Sequence, residues 1–139
     1  MALKKELMKP KIVAIAGKSN SGKTTLIEKL ISCLRSRGHR IESATHAHHG
    51  LKMDRKGKDS WRHRKAGASA TLVIAEGEIA LLKDNERTCA EKITAYLSDM
   101  DVILAEGFKG QDLPKIEIFR REGPHLKPLG MLDENGSPL

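Results

Sequence analysis

Eight residues, Gly17-Lys18-Ser19-Asn20-Ser21-Gly22-Lys23-Thr24, constrain this chain more than any other stretch. They fit G-x-x-x-x-G-K-[ST] at every fixed position. The five residues before the loop, Ile12 to Ala16, form a short apolar run rich in β-branched side chains, which reads as a buried parallel strand. After the loop, Leu26, Ile27, Leu30, Ile31 and Leu34 recur at helical spacing, so a helix is predicted from Thr24 to Arg37, with Gly38 as its stop. Strand, loop and helix in that order are the context in which the motif has physical meaning. Gly17 and Gly22 permit torsions and close approaches that a Cβ would block. The successive N–H groups of Asn20, Ser21, Gly22, Lys23, Thr24 and Thr25 can then converge on phosphate oxygens at the positive end of a helix. Lys23 would reach the β- and γ-phosphates, and the Thr24 hydroxyl would bind Mg²⁺. The motif implies a nucleoside triphosphate, but it selects no base and proves no hydrolysis. No N-K-x-D sequence for guanine is present.

The rest of the chain continues the alternation. A second strand fits Arg40 to Thr45. His46 to Asp59 is a loop of more than ten residues, a length that in a compact domain is usually functional or disordered. Asp59-Ser60 can cap a short helix running to Lys65 or Ala66. Ala70 to Ala75 and Glu78 to Leu82 read as two strands joined by a tight turn at Glu76-Gly77. Glu86 to Leu97 reads as a helix with Ala90, Ile93 and Leu97 inward. Val102 to Ala105 reads as a buried strand ending at Glu106-Gly107, and Lys115 to Phe119 as a half-buried one. The expected class is therefore α/β: a mainly parallel sheet flanked by helices on both faces, with a P-loop NTPase fold. Residues 1–10 read as a polar leader, 11–121 as the nucleotide-binding domain and 122–139 as a tail of low order. Ligands in such folds sit at the C-terminal strand ends, which here carry Gly17, His46 and Glu106 with Phe108 and Lys109.

At 139 residues the chain can bury a core without a metal or disulfide staple. Its longest apolar run is too short for a membrane span, and the lysine-containing N-terminus has no apolar stretch of the secretory kind. Cys33 and Cys89 match no zinc or redox spacing and point to a reducing compartment. On its helix, Cys33 reads as core, and Cys89 as half-buried. The formal charge is +7, and most of the excess is local. Between Lys52 and Lys65 stand seven basic residues against Asp54 and Asp59. A basic block of this kind can meet nucleic acid, a membrane surface or a phosphorylated small molecule. Aromatic residues are only 3%, too few for the stacking platforms of single-strand binders.

Three further groups bear on chemistry. His46, His48 and His49 crowd the end of the second predicted strand. They can be metal ligands, with Asp54 as a further donor, or polar loop residues near phosphate. In the segment Gly57 to Lys65, Lys58 and either Arg62 or Arg64 can face an anion with Asp59 near Mg²⁺. The same residues can equally be a solvated helix face with Asp59 as a plain cap. Glu106, ending an apolar strand, is placed to hold Mg²⁺ through water, as acids at such strand ends do in P-loop proteins. Asp101 begins the same strand, lies at the opposite edge and reads as structural.

With these segments together, GKSNSGKTT (Gly17 to Thr25), THAHHG (Thr45 to Gly50), GKDSWRHRKAGA (Gly57 to Ala68), DVILAEGFK (Asp101 to Lys109) and PKIEIFR (Pro114 to Arg120), the sequence resembles the MobB family of molybdopterin-guanine dinucleotide biosynthesis. The resemblance implies a cytoplasmic protein that binds GTP with Mg²⁺ and hydrolyses it slowly at best. It implies assistance to the guanylyltransferase that joins GMP to molybdopterin, and a homodimer. By the same resemblance Lys23 and Thr24 match the triphosphate and Mg²⁺ positions, and Asp59 and Glu106 match acidic positions near them. The basic stretch Lys58 to Lys65 is consistent with a second anion such as the phosphate of molybdopterin. Thr45 and Ala47 depart from the family's usual residues in the histidine turn. The chain also stops at Leu139, where the family usually continues with another strand and a helix, so its C-terminal end reads as shortened.

Two other functions fit the residues. One is a small P-loop kinase acting on a metabolite, with Arg62 and Arg64 as lid arginines. The other is a metal-insertion GTPase chaperone using the histidines. Nucleic-acid binding is the weakest reading, because the basic residues cluster beside the phosphate loop.

Overall fold

A computed structural model describes residues 9–51, 53–124 and 129. The leader up to Met8 and most of the C-terminal tail lie outside the described residues. Contacts divide the chain into two units: one of residues 1–46 and 88–139, the other of residues 47–87.

The first unit is built on a four-stranded parallel sheet. Its strands are β1 (Lys11–Ala16), β2 (Ile41–Thr45), β5 (Val102–Glu106) and β6 (Lys115–Glu117), in the order β2-β5-β1-β6. Between β2 and β5 in sequence come α2 (Asp59–Lys65), β3 (Ala70–Ala75) and β4 (Glu78–Lys83) of the second unit. β1 and β5 form the middle of the sheet, with Ile15 beside Glu106. β2 flanks β5 with Thr45 beside Glu106. β6 flanks β1 with Ala16 beside Glu117. Three strand ends and the loop after β1 therefore meet at one edge.

The central strands are buried on both sides, and alternate side chains feed two cores. Ala14, Ile103 and Ala105 pack with Ile93 and Phe108 on one face. Ile15 and Leu104 pack with Ile27 and Ile41 on the other. Helix α1 (Lys23–Ser36) covers the second face through Leu26, Ile27, Leu30, Ile31 and Leu34. Helix α3 (Cys89–Tyr96) covers the first through Ile93. Ile15 and Ile103 are fully buried, worth about 1.5–3 kcal/mol each by area. The expected α/β class with helices on both faces is what the structure has.

Three details depart from the sequence reading. Cys33 is exposed rather than core. At 100° per residue it lies about a quarter turn from the middle of the apolar stripe of α1, beyond the face that meets the sheet. The third helix starts at Cys89, not Glu86, because Thr88 caps it. The Thr88 hydroxyl accepts the Glu91 N–H, and the Glu91 carboxylate accepts the Thr88 N–H. The last strand ends at Glu117 rather than Phe119.

At the far edge of the sheet, Asp101 is structural, as expected. Its carboxylate accepts the Arg40 backbone N–H at 2.7 Å and the Arg40 guanidinium at 2.8 Å. The pair ties the start of β2 to the start of β5. Those hydrogen bonds lower the Asp101 pKa to about 2, the side-chain bond contributing most.

The second unit comprises helix α2 (Asp59–Lys65) and an antiparallel hairpin of β3 (Ala70–Ala75) and β4 (Glu78–Lys83). The turn at Glu76-Gly77 is where the sequence puts it. Gly77 takes the left-handed backbone (φ 87°) that a tight hairpin turn requires. α2 packs against β3. Its cap is Lys58, not Asp59, and Asp59 is the first helical residue, where a carboxylate complements the helix dipole. Arg64 holds the unit together. It reaches Asp54 at 3.1 Å and Asp84 at 2.8 Å, and Ser60 donates to the other oxygen of Asp54. The Asp54 side chain is only 7% exposed, so its charge needs these partners. Hydrogen bonding to Asp84, then to Asp54, keeps the Arg64 pKa raised.

On one face of the hairpin, Leu72 pairs with Leu81 and Ile74 with Ile79. These four aliphatic side chains are 51%, 47%, 71% and 71% exposed, respectively. A two-stranded ribbon with an apolar face is marginal in water on its own.

Candidate functional site

The site begins where β1 stops. Leaving Ala16, the chain turns through Gly17 (φ 154°), Asn20 (φ 61°) and Gly22 (φ 97°) before α1 starts at Lys23. Asparagine is among the few side chains that tolerate a left-handed backbone. Gly17 is required by space as well. A Cβ there would lie 2.6 Å from the Ile118 carbonyl oxygen and 2.7 Å from Ser21 Oγ. The loop is therefore wedged between the start of α1 and the segment leaving β6. Gly22 caps α1 without a side chain, so the first amides of the helix stay open toward the loop.

Lys23 folds back over the loop and donates from Nζ to the carbonyls of Gly17 at 3.1 Å and Lys18 at 2.9 Å. Its charge is held over the concave side of the turn. Thr24, one residue on, donates from Oγ1 to Glu106 Oε1 at 2.6 Å. These residues are 82 positions apart in sequence and meet because β5 lies beside β1. Ser21 is 7% exposed, and its hydroxyl has no hydrogen-bond partner among the described residues. A buried, unsatisfied donor in a loop of convergent amides fits an anion. A hydroxyl and a carboxylate in contact fit a hard cation, which takes oxygen ligands. Asn20, Ser21, Gly22, Lys23, Thr24, Thr25 and Glu106 line one open cleft of about 360 Å³, together with Arg120.

Beyond Glu106 the chain turns sharply. Gly107 (φ 98°) and Phe108 (φ 38°) are both left-handed. Phe108 swings into the core, 5% exposed, with its ring centroid 5.2 Å from that of His46. His46 donates its backbone N–H to the Glu106 carbonyl at 3.2 Å. The Glu-Gly-Phe turn anchors the end of β5 and so fixes the height of Glu106.

Further sequence candidates belong to the second unit. Lys58, Asp59 and Arg62 sit at the start of α2 in the second unit, with Lys58 and Arg62 one turn apart. Arg64, offered as the alternative to Arg62 for an anion, is occupied by Asp54 and Asp84. Asp54, named as a possible fourth metal donor, is taken by Ser60 and Arg64. Among the described residues no three His, Cys, Asp or Glu side chains converge where a metal ion could sit. No described helix is long and apolar enough to cross a membrane. Sequence reasoning missed Arg120. Its signal was the alternating strand ahead of it, whose position beside β1 no local pattern gives.

The chain has relatives among known proteins. Residues 12–135 match the family model described as MobB, molybdopterin guanine dinucleotide synthesis protein B. The chain is 38% identical over 126 residues to the molybdopterin-guanine dinucleotide biosynthesis adapter protein of Haemophilus influenzae, covering 88% of this chain and 70% of that one. It is 40% identical over 119 residues to the adapter protein of the same name from Escherichia coli K12, covering 82% and 68%. Its structure is similar to the crystal structure of Bacillus subtilis MobB, with a TM-score of 0.63 and 33% identity over 78% of this chain and 68% of that one. The wedged glycine loop, the Thr24–Glu106 contact and these likenesses lead to one assignment: the chain belongs to the MobB family of molybdopterin-guanine dinucleotide biosynthesis adapters.

Proposed function

We propose that this chain binds GTP with Mg²⁺ at the Gly17–Thr25 loop and acts in molybdenum cofactor maturation. There it assists the guanylyltransferase that attaches GMP to molybdopterin. The observation that carries the nucleotide reading is the 2.6 Å contact between Thr24 and Glu106 beside a glycine loop that admits no Cβ at Gly17. In this reading the amides from Asn20 to Thr25 bind the phosphates, and Lys23 exchanges its loop carbonyls for phosphate oxygens. Thr24 and Glu106 hold Mg²⁺, which when bound neutralises charge on the β- and γ-phosphates. Asp59 is proposed as a further acid for the ion, and Lys58 and Arg62 for a second anion such as molybdopterin. The family supports guanine as the base. Hydrolysis is proposed to be weak: no residue of the cleft is assigned as a general base. The chemistry fits the cytoplasm, where thiols such as Cys33 and Cys89 stay reduced.

A homodimer is part of the proposal. The exposed Leu72, Ile74, Ile79 and Leu81 support it, because an aliphatic ribbon face is stabilised by covering it with a second copy. Calorimetric titration with GTP and with ATP, both with Mg²⁺, tests the nucleotide reading. Preference for GTP supports it. Equal binding or preference for ATP turns attention to the kinase alternative, for which rapid phosphotransfer to a small acceptor is the assay.

A further inference from the structure

The phosphate cleft has a cation that the motif does not predict. β6 runs parallel to β1, so the chain leaving Glu117 emerges at the same edge as the glycine loop. Ile118 fastens that segment down. Its N–H donates to the Ala16 carbonyl at 2.8 Å, and its own carbonyl lies over Gly17. Two residues later Arg120 lines the cleft with Asn20 to Thr25 and Glu106. A turn holds it there. The Gly123 N–H donates to the Arg120 carbonyl at 3.0 Å. A Cβ on Gly123 would stand 3.1 Å from Arg120 Cβ and 3.6 Å from its Cδ, so the turn packs along the arginine stem.

The guanidinium has no ion pair among the described residues. Among the described residues the one carboxylate lining the cleft, Glu106, already accepts the Thr24 hydroxyl. An arginine at the mouth of an anion cradle, with its fork uncommitted, is suited to bidentate phosphate recognition. The loop amides and Lys23 surround an anion from inside the turn. Arg120 comes from outside it, from the β6 flank of β1, and lines the same cleft as Thr24 and Glu106.

We propose that Arg120 binds the terminal phosphate of the nucleotide and sets the preference for triphosphate over diphosphate. This rests on the nucleotide reading above and names a determinant within that site. The Ile118–Gly17 wedge couples the arginine to the loop, so the two halves of the phosphate site form one rigid edge. The fork contributes two charge-assisted hydrogen bonds to an outer phosphate, and a diphosphate lacks that group.

The test is calorimetric titration of the full chain with Mg·GTP and Mg·GDP, for wild type, Arg120→Ala, Arg120→Lys and Lys23→Ala, with melting curves to confirm folding. Arg120→Ala is expected to weaken GTP about tenfold or more while changing GDP by less than about twofold, in line with the worth of hydrogen bonds to charged groups. Arg120→Lys should recover part of the GTP affinity through charge alone. Equal losses for GTP and GDP, or no loss for either, would overturn the role of Arg120. If the folded Lys23→Ala chain binds GTP as wild type does, the nucleotide reading itself fails. If Lys23→Ala loses binding and Arg120→Ala does not, only the arginine proposal fails.

Discussion

Gly17→Ala should be among the most damaging single-methyl additions in the first unit. The added Cβ would stand 2.6 Å from a backbone oxygen, Ile118 O, and 2.7 Å from Ser21 Oγ, where real Cβ atoms essentially never come within 3.0 Å. Ser21 can rotate, but the Ile118 carbonyl cannot move alone. Its own N–H is bonded to Ala16, so a shift pulls on the β1–β6 pairing. Overpacking of this kind costs about 1–3 kcal/mol. A φ of 154° held by a residue with a Cβ adds strain of about 1–3 kcal/mol. The sum is about 2–6 kcal/mol, or about 6 °C or more in Tm for a chain of this size. Gly22→Ala is the internal control. It shares the positive φ (97°), but among the described residues nothing lies within 4 Å of its Cβ position. Only the left-handed strain of about 1–2 kcal/mol applies there. Circular dichroism melts of both variants against wild type decide the matter. A Gly17→Ala chain that melts with wild type, or above Gly22→Ala, would refute the steric wedge between the loop and β6.

Three other outcomes are expected. Glu106→Gln should reduce the gain in GTP affinity on adding Mg²⁺ by about tenfold while leaving affinity in EDTA nearly unchanged, measured by titration under both conditions; an equal loss in EDTA would deny it a role toward the ion. Asp101→Asn should destabilise the chain at neutral pH. Because folding lowers the Asp101 pKa from 3.8 to about 2, its contribution is present above pH about 4 and lost as pH falls toward 2, so the melting difference should close over that window; a gap that stays constant there would contradict the Arg40 pairing. The double variant Ile74→Lys with Ile79→Lys should sediment as a monomer where wild type sediments as a dimer, and a wild-type monomer would remove the hairpin as the contact.

Much of the site was legible because it is local. Gly17 to Thr24 needs only a strand before it and a helix after it, and both lie between Lys11 and Ser36. Glu106 was legible from the apolar run that it ends. Its meeting with Thr24 rests on β5 pairing with β1, a long-range choice that strand patterns do not encode. The same holds for Arg120, which belongs to the site only because β6 takes the other flank of β1. Cys33 shows the limit on the helical side. An apolar residue a quarter turn from a stripe is not on it, and burial stops where the helix face leaves the sheet. The start of α3 was decided by a reciprocal cap at Thr88 and Glu91, which outweighed the helix propensity of Glu86 and Arg87. Arg64 looked like a free cation because both of its partners, Asp54 and Asp84, are distant in sequence.

The most direct test of the central claim is calorimetric titration of Mg·GTP into the wild-type chain and into a folded Lys23→Ala chain. The account predicts saturable binding of one GTP per chain to wild type and loss of that binding in Lys23→Ala, with melting temperatures close together. Undiminished binding by Lys23→Ala would contradict the assignment of the Gly17–Thr25 loop as the nucleotide site.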